Sequence, residues 1–159
     1  HGGGQERYRR AGTENVAGAA GLARALALSV SEREVVLPRV RAARDRLRDG
    51  LLAVPRVRLT GPAEERLPNH LSLLVEGLRG SDLVVALDLA GIAASTGAAC
   101  SSGSEEPSHV LLAMGVSATE AASALRLTLG RRTEETDVDA ALRIVPAAVA
   151  RLRGEGTGA

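Results

Sequence analysis

Phenylalanine and tryptophan are absent from the 159 residues, and Tyr8 is the only aromatic side chain. That argues against a surface that stacks rings on single-stranded nucleic acid, and leaves core formation to Ala, Leu and Val. Lysine is absent as well, so all twenty basic side chains are arginine, set against nineteen acidic ones for a formal charge of +1. A balance so close to zero provides no long-range field to draw DNA or a membrane surface, and clusters such as Arg7, Arg9 and Arg10 need a local explanation. No apolar run approaches the roughly eighteen residues of a membrane span, and no secretory signal peptide opens the chain. With one cysteine, Cys100, an internal disulfide is impossible, and a reduced cytoplasm is the simplest location.

What remains is enough for one domain with a real core, or one domain plus a piece of another. The chain opens at His1 in a glycine run and reads as part of something longer.

Residues 1–15, HGGGQERYRRAGTEN, are polar and glycine-rich; VAGAAGLARALALSV then has a helical pattern with Asn15 placed as its cap. Ser31 and Glu34 have capping-box spacing before a second helical stretch, with Pro38 either near its start or kinking it, so that two long helices or one interrupted helix are expected. Leu37, Val40, Arg44 and Leu47 lie near one face of it, and Gly50 reads as its stop. Period two takes over at Val54, Val57 and Leu59 and again in HLSLLVEG, 70–77, with a turn at Gly61 and Pro62 between them. SDLVVALDLAG is helical by length, and IAAS, 92–95, is a short strand candidate. SHVLLAMG reads as a short helix, and Ser117 with Glu120 forms another capping box. Leu125, Leu127 and Leu129 alternate with Arg126 and Thr128. Thr133 is placed to cap a last helix carrying Val138, Ala141, Leu142, Val145, Val149 and Leu152, and residues 154–159 read as a tail. The pattern predicts an α+β fold, a mostly antiparallel sheet of three to four strands covered by helices.

Cys100 sits in TGAACSSGSEEPSHV, among small polar neighbours rather than in an apolar pattern. A thiol is a nucleophile as its thiolate, and a glycine-bearing loop suits that role, but the residues alone leave an ordinary loop cysteine equally open. Neither His70 nor His109 has tight metal-ligand spacing to it, so no metal site is indicated. The glycines and Thr13 of AGTEN are consistent with an anion-holding backbone concavity or with a plain turn; the lysine of a P-loop is missing. Arg126 has a guanidinium suited to a carboxylate, or is a solvated strand arginine.

Taken together, HGGGQERYRRAGTEN, LPNH, STGAACSSGSEEPSHVLLAMG and LRLTLGRRTEETDVD resemble the C-terminal part of the cysteine desulfurases of the NifS/IscS type, fold-type I pyridoxal phosphate enzymes. The resemblance runs in order over nearly the whole chain. It implies conversion of L-cysteine to L-alanine with a persulfide left on Cys100, and its long loop, about 95–107, is that of the class with a mobile cysteine. It implies that Arg126 grips the substrate carboxylate and that Thr13 reaches the cofactor phosphate of the partner subunit. Arg10 and HGGGQE fall at the dimer and active-site edge with no sharp role, and His109 is structural. The family's cofactor lysine, ring-stacking histidine and pyridine-nitrogen aspartate belong to an upstream large domain, and His1 is not to be taken for that histidine. On this reading residues 1–15 are a strip of the large-domain interface and 16–153 the small domain. The chain alone is then inactive and needs a large-domain partner, within a homodimer that hands sulfur to an acceptor for iron–sulfur assembly or tRNA thiolation. Alternatives are a noncatalytic persulfide relay and an inactive proteolytic remnant.

Overall fold

The computed structural model describes residue 4, residues 11–97 and residues 107–155, in two compact units, 1–36 and 37–159. In the first unit, helix α1, Val16–Ser31, starts where Asn15 accepts a hydrogen bond from the Gly18 N–H at 2.8 Å. The Ser31 hydroxyl does not cap the next helix: it donates back to the Leu28 carbonyl, which extends α1 through Ser31. No residue of α1 is buried, and Val16, Leu22, Leu26 and Val30 are all well exposed. Helix α2, Arg33–Leu52, has its first turn in this unit and the rest in the second, with Pro38 inside its N-terminal half.

The second unit is built on three antiparallel strands in the order β1 (Val57–Leu59), β2 (His70–Val75), β3 (Ala124–Thr128). Register decides what each face carries. Leu59 pairs Leu73, Leu73 pairs Leu125 and Leu71 pairs Leu127, so one face is a leucine sheet. Leu47 of α2 and Val138 and Ala141 of helix α6 (Glu135–Leu152) gather around Leu127 on that side. The opposite face carries Arg58, Leu74 and Ala124 in one row and Ser72 and Arg126 in the next, with His70 and Thr128 beyond. Its first row is covered by the short helices α4 (His109–Ala113) and α5 (Ala118–Ala121), through a cluster of Leu74, Leu111, Ala121 and Ala124. Its second row stays open.

Helix α3, Gly80–Leu89, packs on α6, and its buried Gly80 lies so close to the Ala124 carbonyl that a Cβ there would overlap it. Gly50 proves not to be a helix stop. The helix continues to Leu52, and Gly50 is where the Leu142 side chain of α6 comes too close for a Cβ. At the start of α6 the cap is Glu134, in a reciprocal box with Asp137, and not Thr133; the Thr133 hydroxyl instead accepts from the Gly130 N–H and closes the preceding turn. The Ser117–Glu120 box forms as its spacing predicts. Residues 92–95 make no strand but a single bridge, Ser95 to Arg126. The outcome is the expected α+β class, with three strands and helices on both faces.

Candidate functional site

The open row of the sheet is the floor of a cleft of about 380 Å³. Arg126 reaches it from β3, His70 and Ser72 from β2, Thr60 and Arg66 from the connection between β1 and β2, and His109 from α4. Gly97 and Ser108, which flank the stretch holding Cys100, both line the same cleft, and a Cβ on Gly97 would stand 3.7 Å from that of Ser108. No Asp or Glu is among the described lining residues. The cleft therefore presents two guanidiniums, two imidazoles and several hydroxyls to whatever enters, an arrangement that favours an anion.

Arg126 is held on both sides. Its backbone N–H and carbonyl turn away from β2 and pair with Ser95, whose oxygen accepts at 2.6 Å. Ser72 and Arg126 are then a non-hydrogen-bonded pair, the kind in which facing side chains come closest. The guanidinium donates through Nη1 to the Gly97 carbonyl and through Nη2 to Ser95 Oγ at 3.2 Å. Of its five donors, several stay available for a carboxylate.

Behind this row, Arg44 of α2 is buried at 2% exposure and donates to the Leu67 carbonyl at 3.1 Å, fixing the Leu67–His70 segment as it enters β2. Its Nε lies 2.8 Å from Asp45 Oδ1 but off the hydrogen-bonding line, so the pair is ionic contact alone. Arg66 donates to the carbonyls of Thr60 and Pro62, at 2.7 and 2.6 Å from Nη2, and so shapes the rim of the cleft. Burial first, and then the charges of Arg44 and Arg48, lower its pKa. His70 is half-buried, and its pKa is held below the ordinary value by burial, then by Arg126, Arg66 and Arg44. Both causes favour the neutral imidazole.

Of the three site residues expected from sequence, Arg126 lies at the centre of this cleft. Thr13 is exposed in the first unit, and Cys100 falls outside the described residues. The arrangement also brings in Arg66 and His70, which the sequence reading left without a role. The available sign was the alternation of HLSLLV, which places His70 and Ser72 on one face; only the register shows that Arg126 shares that face.

Pyridoxal phosphate, the cofactor implied by the resemblance, is carried by a lysine amine. This chain has none, so its own residues do not fit the group unaided.

A family model described as aminotransferase class-V matches residues 3–141. The cysteine desulfurase IscS of Methanosarcina thermophila is 47% identical over 153 residues, covering 96% of this chain and 38% of that protein. An IscS-like cysteine desulfurase of Mycobacterium tuberculosis is 48% identical, over 96% of this chain and 39% of its own length. Among solved structures, a NifS-like protein superposes with a TM-score of 0.81 at 36% identity, over 96% of this chain and 38% of that one. The cysteine desulfurase CsdA of Escherichia coli, in an S-sulfonic acid form, gives 0.70 at 26%, over 90% and 33%. The chain thus spans about two-fifths of the length of these relatives. With a match that runs through the open sheet row, the cleft and the first turns of α6, the chain belongs to the aminotransferase class-V family.

Proposed function

We propose that the chain is the C-terminal part of a cysteine desulfurase, in which L-cysteine and the Cys100 thiol give L-alanine and a Cys100 persulfide. One observation carries the reading: Arg126 stands in a cleft with no Asp or Glu among its described lining and bonds the carbonyl of Gly97, three residues before Cys100. Cys100 follows Gly97 by three residues in the sequence, and on this reading its thiol and the carboxylate grip serve one small substrate. In the net reaction the substrate C–S bond breaks and an S–S bond forms on Cys100. The proton lost from the Cys100 thiol balances the one gained by the product methyl group.

Arg126 orients the substrate by its carboxylate, which fixes the sulfur relative to the incoming thiolate. The electron sink belongs to pyridoxal phosphate, which the rest of the protein has to hold; Thr13 contributes to its phosphate across a homodimer. Residues 1–15 belong with the large domain, 16–153 form the small domain and 154–159 a tail. The persulfide passes to an acceptor protein in the cytoplasm, for iron–sulfur assembly or tRNA thiolation. The relatives named as cysteine desulfurases support this reading.

A second reading is a noncatalytic relay in which Cys100 only receives and passes sulfur. The test combines the chain with a polypeptide supplying the remainder of a family member, then adds L-cysteine and pyridoxal phosphate. Alanine release and a 32 Da gain on Cys100 are expected from the complex, and neither from the chain alone. Alanine release by the chain alone overturns the proposal, and a complex indifferent to Arg126→Gln points to the relay, which needs no carboxylate grip.

A further inference from the structure

We propose that His70 is a second ligand of the substrate carboxylate, donating a ring N–H to an oxygen lone pair that the Arg126 fork leaves free. The inference deepens the reading above and rests on its carboxylate grip by Arg126.

The argument begins with the sheet. Ser72 faces Arg126 and His70 faces Thr128, so His70 and Arg126 are diagonal neighbours on one face. Such positions lie about 7–8 Å apart at Cα, a gap that two long side chains and one carboxylate between them fill. Both side chains line the same cleft, and the His70 ring has no hydrogen-bond partner among the described residues. A half-buried polar ring without a partner carries a desolvation cost that an entering acceptor relieves. Arg66 on the same wall adds to this, since its buried Nη1 also lacks a hydrogen-bond partner.

Chemistry selects the kind of ligand. Among the described residues, the charged and titratable groups around His70 are Arg126 from β3, Arg66 from the preceding connection, Arg44 from α2 and His109 from α4, and no carboxylate is among the described lining of the cleft. These groups supply hydrogen-bond donors in excess, and the carboxylate against them, Asp45 beside Arg44, is not among the described lining of the cleft. A carboxylate offers two oxygens with about four acceptor sites, enough to take the Arg126 fork and one imidazole N–H together. Surrounded by guanidiniums, the free imidazole resists protonation; a bound carboxylate offsets those charges, so the His70 pKa rises on binding. By linkage, the carboxylate then binds more tightly as the pH falls through the His70 transition.

The experiment follows the ring resonances of histidine-labelled 159-residue chain by NMR while L-alanine is added, with L-alaninamide as the probe lacking a carboxylate. His70→Gln and His109→Gln assign the signals. The expected result is an upward shift of the His70 titration with L-alanine and none with L-alaninamide. His70→Leu should weaken L-alanine binding roughly 3- to 10-fold, as for loss of one hydrogen bond to a charged group, while His70→Gln, which keeps a donor, largely restores it. L-alanine binding that depends on Arg126 but leaves the His70 titration and the His70→Leu affinity unchanged overturns this inference and spares the grip. Absence of any Arg126-dependent binding overturns the grip and this inference with it. A far-ultraviolet spectrum equal to that of the parent chain confirms that each variant is folded.

Discussion

Arg126 divides its guanidinium between the chain, at Gly97 and Ser95, and the open cleft. Lysine in its place keeps the charge and loses the planar fork. In a complete enzyme, Arg126→Lys is expected to reduce kcat/KM for L-cysteine on the order of 10- to 100-fold, chiefly through KM, as read from initial rates of alanine formation. His70 leads to a different expectation. Its folded pKa lies below the ordinary 6.5, so an unfolded chain takes up the proton at a higher pH than the folded one does. The stability it contributes is whole above about pH 6.5 and is lost as pH falls through the folded value. Urea midpoints measured from pH 8 to 5 should therefore drop below pH 6.5, and His70→Gln should flatten that drop; an equal slope in the variant assigns the proton elsewhere. The face that Arg126 occupies, opposite the leucines, was legible in the alternation of LRLTL, though that alternation suited a solvated strand arginine as well. The place of His70 was not, because it depends on which residue of a distant strand sits opposite Ser72, and a single strand's pattern holds no such information.

Among the elements, two glycines that look alike in sequence separate by what a methyl group would meet. At Gly80 the obstacle is the backbone carbonyl of Ala124, part of the sheet and unable to yield; at Gly50 it is the end of the Leu142 side chain, which can turn. Gly80→Ala should cost about 3 kcal/mol of unfolding free energy by urea titration. Gly50→Ala should cost less than about 1 kcal/mol, since the gain in helix propensity offsets most of the crowding. Equal losses at the two positions would show that backbone and side-chain obstacles are equivalent here. Ser117→Ala removes one half of the α5 capping box and should cost about 1 kcal/mol in the same titration. Capping spacing predicted α5 correctly, and the same spacing failed at Ser31, where the hydroxyl was taken up by the Leu28 carbonyl of the helix already under way. Spacing shows that a box is sterically available; which backbone group claims the oxygen depends on where the neighbouring helix stops.

For the whole molecule, the leucine face, α2, α3 and α6 give residues 37–159 a core of their own, whereas α1 buries no side chain. Removal of residues 1–36 would leave Pro38 in the first turn of a shortened α2, a position that tolerates it. The truncated chain should unfold in one transition with a stability within about 0.5 kcal/mol of the parent, and a larger loss would mean that α1 supports the core. The alternation of helical and period-two patterns made the α+β class readable. The face on which each helix lies was not readable, because sheet register and close approaches such as Gly50 to Leu142 set it. One detail of the edge strand reaches further. The Arg126 amide points away from β2 and is closed only by Ser95, at the root of the segment that leads to Cys100. That single proton is a built-in gauge: it exchanges with solvent when residues 92–97 lift from the sheet edge. Its exchange rate, set against those of Leu125 and Leu127, measures the free energy of detaching that root without unfolding the domain.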